Sequence, residues 1–169
     1  MVDRTTTVQL RPSVDSDLQV FFEQQLDPES NRMAAFAAKD PGDREKFLTH
    51  WAKLQDDPTV IIRTIMVGDA VAGYVASFLR GTEREVCYWL GKKFWGQGIA
   101  TAAVRKMVSI VVNQYQVTAL FIVAEAGNLP SLRLAERLGF TLAPTVVAAR
   151  RAAGPNDVVY WLQAATSEA

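Results

Sequence analysis

Gly96 and Gly98 stand where a strand-like run ending in Tyr88-Trp89-Leu90 gives way to a helical pattern that begins at Ile99. Glycine at such a junction lets the backbone approach a ligand with no Cβ in the way. The first turn of the helix beyond it carries N–H groups without intrahelical partners, and those donors add to the helix dipole in favouring an anion. A pyrophosphate can be held there by backbone alone, without a lysine. A glycine pair before a helix is a weak signal by itself. It gains force from a second segment, Asn128-Leu-Pro-Ser131 through Glu136-Arg137-Leu138-Gly139-Phe140, one helix and one strand further on. Cys87 lies on the strand leading to the loop, with no histidine near it in sequence, and such a cysteine is expected to be a small buried hydrophobe. His50 is the lone histidine and is read as surface or packing. Trp51, Trp89, Trp95 and Trp161 are expected in the core or as walls of a site.

The elements that position these residues follow from period and punctuation. Val8 to Pro12 reads as a strand, and Ser13-Val-Asp-Ser-Asp17 supplies N-caps for a helix carrying Leu18, Phe21, Phe22 and Leu26. Asp27-Pro28 breaks it, and Asp40-Pro41-Gly42-Asp43 opens another with Phe47, Leu48, Trp51 and Leu54 at helical spacing, so two helices are expected before the main sheet. Thr59 to Val67, Val71 to Arg80 and Arg84 to Leu90 form an antiparallel meander rich in β-branched and aromatic residues. Ile99 to Tyr115 is a helix, and Ala119 to Ala124 a nearly all-apolar buried strand, which makes a strand–helix–strand crossover. Asn128 caps a helix that Pro130 starts and Gly139 ends. Thr141 to Ala149 and Val158 to Leu162, around Gly154-Pro-Asn-Asp157, predict a closing hairpin.

Length and composition narrow the function classes. The 169 residues, 49% hydrophobic, fit one domain over residues 1–169 with a full core. Eighteen basic residues balance eighteen acidic ones, so no bulk field draws the chain to nucleic acid or to an anionic membrane. One cysteine and one histidine leave almost no ligands for zinc and none for an internal disulfide, and no metal is expected. Met1-Val-Asp-Arg-Thr-Thr-Thr7 lacks a leader pattern, and no apolar run nears the roughly 18 residues a membrane span needs. A soluble cytoplasmic protein is the expectation, with a homodimer left open.

Three phosphate-binding readings compete for the loop. A P-loop needs lysine and then serine or threonine after the second glycine, where Ile99-Ala100-Thr101 stands instead. A dinucleotide-binding Rossmann unit is nearer, since Gly-x-Gly-x-x-Thr follows a strand, opens a helix and precedes a strand ending near Glu125. Against it, Thr101 replaces the third glycine, and a single crossover follows a meander. Third, the element order resembles the GNAT N-acetyltransferase superfamily over nearly the whole chain. That family's loop, Gln/Arg-x-x-Gly-x-Gly/Ala, is matched by Trp95-Gly96-Gln97-Gly98-Ile99-Ala100 with Trp95 in the first polar place. Tyr88-Trp89-Leu90 with Trp95, preceded by Glu85-Val86, is similar to the branch of the ribosomal-protein alanine N-acetyltransferases (RimJ/RimL-like), and Asn128-x-x-Ser131 with Glu136-Arg137-x-Gly139-Phe140 matches its second signature.

The resemblance implies an α/β fold with a mixed, mostly antiparallel sheet, one parallel pair and flanking helices. It implies acetyl-CoA as cosubstrate and a primary amine, on a peptide or a small molecule, as acceptor, with direct attack in a ternary complex. Trp89 and Leu90 would present backbone to the pantetheine and thioester. Gln97, Gly98, Ile99, Ala100 and Thr101 would hold the pyrophosphate, and Asn128 the pantetheine arm. Lys92, Lys93 and Arg137 are read as solvated charges, with the 3′-phosphate as their alternative. Glu85 is the first candidate base and Glu125 the second. Many members place a tyrosine, as acid, where this chain has Ala135. Ser131 is the substitute donor, with Tyr160 behind it. Glu29 to Phe36 and Val146 to Asn156 would shape acceptor choice. The rival from another class is a catalytically idle acyl-CoA-binding sensor domain.

Overall fold

The computed structural model describes residues 7–35, 37–152 and 154–164. Residues 1–6, read above for a leader pattern, and positions 36 and 153 of the two acceptor segments lie outside them. β1 (Val8–Pro12) is followed by α1 (Asp17–Gln25), α2 (Pro28–Met33) and α3 (Arg44–Asp56). The meander is β2 (Ile61–Val67), β3 (Ala70–Arg80) and β4 (Glu83–Leu90). A 3-10 turn (Lys92–Phe94), α4 (Ile99–Gln114), β5 (Ala119–Glu125) and α5 (Leu129–Arg137) come next, then β6 (Thr141–Leu142), α6 (Thr145–Arg151) and β7 (Asp157–Gln163). The seven strands form one sheet in the order β1-β2-β3-β4-β5-β7-β6. Its neighbours pair antiparallel except β4 with β5, which run parallel. No helix among the described residues is long and apolar enough to cross a membrane.

Two expectations are corrected. Three helices, not two, precede the meander, because Asp27 both ends α1 and caps α2: its carboxylate accepts from the Ser30 amide at 3.4 Å, and Pro28 opens the next turn. The expected strand Thr141 to Ala149 stops at Leu142. Pro144, at the N-cap with φ −53°, presets the chain for α6, and Arg151 pins the far end of that helix to Glu83 and to the Arg80 carbonyl. The valines at 146 and 147 favoured a strand only as an isolated pattern.

Each sheet face carries its own core. Val86 and Leu90 of β4 pack with Ala103, Val104 and Met107 of α4 and Leu134 of α5. On the opposite face Phe21 and Trp51 of α1 and α3 meet Tyr74 and each other in tilted and edge-on contacts, and Phe47 packs on Trp51, ring centroids 4.9–5.8 Å apart. A register shift between Ile65 and Met66 leaves Ala72 as a bulge in β3. Its carbonyl accepts from the Gly91 amide at 2.9 Å, which carries the β3–β4 pairing one step past Leu90, and from Gln24 Nε2 at 3.2 Å. Beside it Gly73 lets the Trp89 carbonyl come so close that a Cβ would meet it at 2.0 Å. The bulge thus fixes the carboxyl end of β4, where the glycine loop begins.

Candidate functional site

β4 and β5 pair only at Arg84 with Leu120 and Glu85 with Phe121. Beyond that point the strands part. The loop opening α4 lies beyond the carboxyl end of the parted β4. Gly96 and Gly98 take the left-handed conformation, φ 71° and 75°. A Cβ on either would meet nothing within 4 Å, so the glycines are required here by backbone conformation and not by crowding from the protein. Gly98 caps α4 with no side-chain bond, and the first turn holds no acidic residue. The leading amides of α4 are therefore available to an anion. Trp95 explains its own departure from the polar pattern: its indole N–H donates to the Leu90 carbonyl at 2.9 Å and ties the loop to β4. Gln97 Nε2 donates to the Lys93 carbonyl at 3.0 Å, which fixes the loop from its other side. The donor set fits a pyrophosphate.

A cavity of about 860 Å³ opens between the sheet and the α2–α3 segment, and Glu85, Cys87, Tyr88, Trp89, Asn128 and Ser131 all lie on its wall. Glu85 is 8% exposed, with Arg80 Nε at 3.6 Å. Burial pushes its pKa up, and the Arg80 and Arg151 guanidiniums only partly offset this. Cys87 is pushed up to about 12, by burial first and by the Glu85 charge second, which keeps it a thiol. Asn128 caps α5: its Oδ1 accepts from the Ser131 amide at 3.3 Å, while its Nδ2 donates to the Met33 carbonyl at 3.0 Å. Both ends of this amide are engaged within the protein. Ala135 is completely buried.

Other sequence candidates lie apart from this centre. Glu125 accepts from the Gly127 amide at 2.6 Å and so closes a turn. The Tyr160 hydroxyl donates to Glu136 at 2.8 Å, a bond that raises its pKa. Lys92 pairs with Glu29, the Lys93 ammonium lies 5.0 Å from the Phe94 ring centroid, and Arg137 is exposed. His50 is exposed at the cavity rim. Tyr88, to which the sequence reading gives no role, also lies on the cavity wall. Its hydroxyl lies 2.6 Å from Ser131 Oγ, and the only sequence signal was a tyrosine on the loop-leading strand, three residues on from Glu85.

A mixed sheet parted at its parallel pair, with a bare helix terminus beyond the gap, is the fold of N-acetyltransferases. A family model described as the acetyltransferase (GNAT) domain matches residues 7–141, and the chain belongs to that family. It is 30% identical over 100 residues to YdaF of Bacillus subtilis (strain 168), a ribosomal N-acetyltransferase candidate, with 57% of this chain aligned. The chain spans 55% of that relative's length. RimL, a ribosomal L7/L12 alpha-N-protein acetyltransferase solved with coenzyme A, superposes with a TM-score of 0.74 at 19% identity, over 96% of this chain and 97% of its own. An acetyltransferase candidate from T. thermophilus gives 0.72 at 25% identity, over 92% and 85%.

Proposed function

We propose that this protein, as one domain over residues 1–169, transfers the acetyl group of acetyl-CoA to a primary amine by direct attack in a ternary complex. The observation that carries the reading is the parting of β4 from β5 immediately after Glu85, beside a cavity and ahead of a helix whose first amides are free. In this reading the amides of Gln97, Gly98, Ile99, Ala100 and Thr101 hold the pyrophosphate. Trp89 and Leu90 offer strand backbone to the pantetheine and thioester, where a donor can also steady the tetrahedral oxyanion. Asn128, its side chain spent on the α5 cap and on Met33, shapes the wall along which that arm runs. Glu85 takes the proton from the attacking amine, and Ser131 faces the departing sulfur. RimL, in complex with coenzyme A, lends support through its shared fold. The acceptor class comprises peptide amino termini, amino acids and small-molecule amines.

Ala135 favours a second reading, an idle acyl-CoA-binding sensor domain, because no hydroxyl stands at that buried position. Acetyl-CoA incubated with a panel of amines and peptides, with thiol release and product mass as readouts, separates the two. Acceptor-dependent thiol release establishes transfer. Binding of CoA without release over the whole panel establishes the sensor.

A further inference from the structure

Serine alone is a poor source of a proton. Its hydroxyl is a far weaker acid than a phenol, whose ordinary pKa is about 10, and a thiolate leaving sulfur is matched to the phenol and not to the serine. In this molecule the two hydroxyls are joined: Tyr88 OH and Ser131 Oγ stand 2.6 Å apart, on the cavity wall, across the gap that β4 and β5 leave. Alternation along β4 puts Glu85 on one face and Tyr88 on the other. The packing agrees, since Tyr88 rests against the α4–α5 core while Glu85 meets Arg80 on β3. Base and hydroxyl pair thus approach the strand gap from opposite sides, which is the disposition an amine entering on one side and a thiol leaving on the other requires.

We propose that Tyr88 is the proton reservoir for the leaving thiolate, delivering through Ser131. The inference rests on the acetyltransferase reading. As the amine nitrogen bonds to the carbonyl carbon, Glu85 takes the ammonium proton. As the carbon–sulfur bond breaks with its electron pair on sulfur, the Ser131 hydroxyl proton passes to sulfur and the Tyr88 proton passes to Ser131 Oγ. Glu85 then returns its proton to water, and the Tyr88 phenolate takes one from water, so the net transfer is one proton from amine to thiol. Ser131 is the catalytic residue of the pair and Tyr88 acts through it. The Tyr88 proton is held firmly until needed, because burial raises the phenol's pKa more than the Ser131 bond lowers it.

The test compares Tyr88→Phe, Ser131→Ala and the double variant with the parent, using acetyl-CoA and the best acceptor from the panel. Tyr88→Phe is expected to lower kcat by about 10²-fold, the low end for loss of a general acid, with KM for acetyl-CoA within about twofold. The double variant should be no slower than the slower single one, since a relay fails as a unit. Difluorotyrosine at position 88, a stronger acid, should bring an alkaline limb of kcat down into the range below pH ~10, where the parent shows none. A structural hydroxyl would not move that limb. Parent-like kcat in Tyr88→Phe, multiplicative losses in the double variant, or an unmoved limb would each overturn the relay. An inactive parent that still binds CoA removes the acetyltransferase reading instead. Should Tyr88→Phe fail to fold, the difluorotyrosine limb decides alone.

Discussion

Glu85 is held in opposition to its own charge, since burial raises its pKa more than Arg80 and Arg151 lower it. A base of this kind is protonated further up the pH scale than a surface glutamate. Acetyl transfer should therefore rise with pH through that raised pKa, and Glu85→Gln should lose the limb and about 10²–10⁴-fold of kcat with KM for acetyl-CoA unchanged. A parent-like pH–rate profile in the variant would return Glu85 to a structural role. Stability moves the other way. With the folded pKa raised, the contribution of Glu85 is fully present below its unfolded value of about 4.3 and is lost as pH rises through the folded one. At pH 7 Glu85→Gln should therefore melt no lower than the parent, a shift that scanning calorimetry at several pH values will read. Cys87 is the contrasting case. A thiol at about 12 beside a carboxylate supplies no thiolate, so Cys87→Ala should keep most activity and initial-rate lines should intersect. Parallel lines with an acetyl adduct on Cys87 would show a covalent route.

Elements rich in long-range pairing were legible wherever their pattern was unambiguous. Meander, crossover helix and buried β5 follow from period and from glycine punctuation, and the structure moves their ends by at most two residues. α6 was not legible, because Val146 and Val147 carry strand propensity and what makes them helical is Pro144 ahead and an anchor 68 residues away, Arg151 on Glu83. The loop motif at Gly96–Gly98 was visible in the sequence, while the Tyr88–Ser131 pair, 43 residues apart, was not, because only the fold brings two hydroxyls together. The loop itself makes a sharp prediction. Valine at Gly98 must adopt φ 75°, at a cost of roughly 1–2 kcal/mol, yet its Cβ meets no protein atom. Gly98→Val should remain folded and lose the thermal shift that CoA gives the parent. A variant that binds CoA with parent affinity by calorimetric titration would remove the loop from the site.

At the scale of the molecule, a chain with no net charge has no bulk field to gather its ligands, so recognition falls to local donors and to how firmly the sheet holds them. One buried anchor of that sheet is Asp17, 2% exposed, which accepts from Arg11 twice at 2.7 Å, from Thr64 Oγ1 at 2.7 Å and from the Val14 amide at 3.0 Å. Burial works to raise its pKa, but the Arg11, Thr64 and Val14 bonds outweigh it and the carboxyl titrates lower than usual. Its contribution is present above about pH 4 and is lost as pH falls through the depressed value. Asp17→Asn should remove about 2–3 kcal/mol at neutral pH, less than the roughly 3–5 of a fully buried broken pair because Arg11 is partly exposed, and flatten the acid side of the melting curve. An unchanged acid limb would relieve Asp17 of that role. The same whole-molecule logic governs ligand binding. A ligand held only by the native state at 100 times its Kd adds about 2.7 kcal/mol. For a chain of this length each kcal/mol raises Tm by about 2–4 °C. Saturating CoA or acetyl-CoA should thus raise Tm by about 5–10 °C, while adenosine alone, which lacks the pyrophosphate that the α4 amides would hold, should give far less. No shift at millimolar CoA would end both the acetyltransferase and the sensor readings, since each begins with that loop holding the same anion.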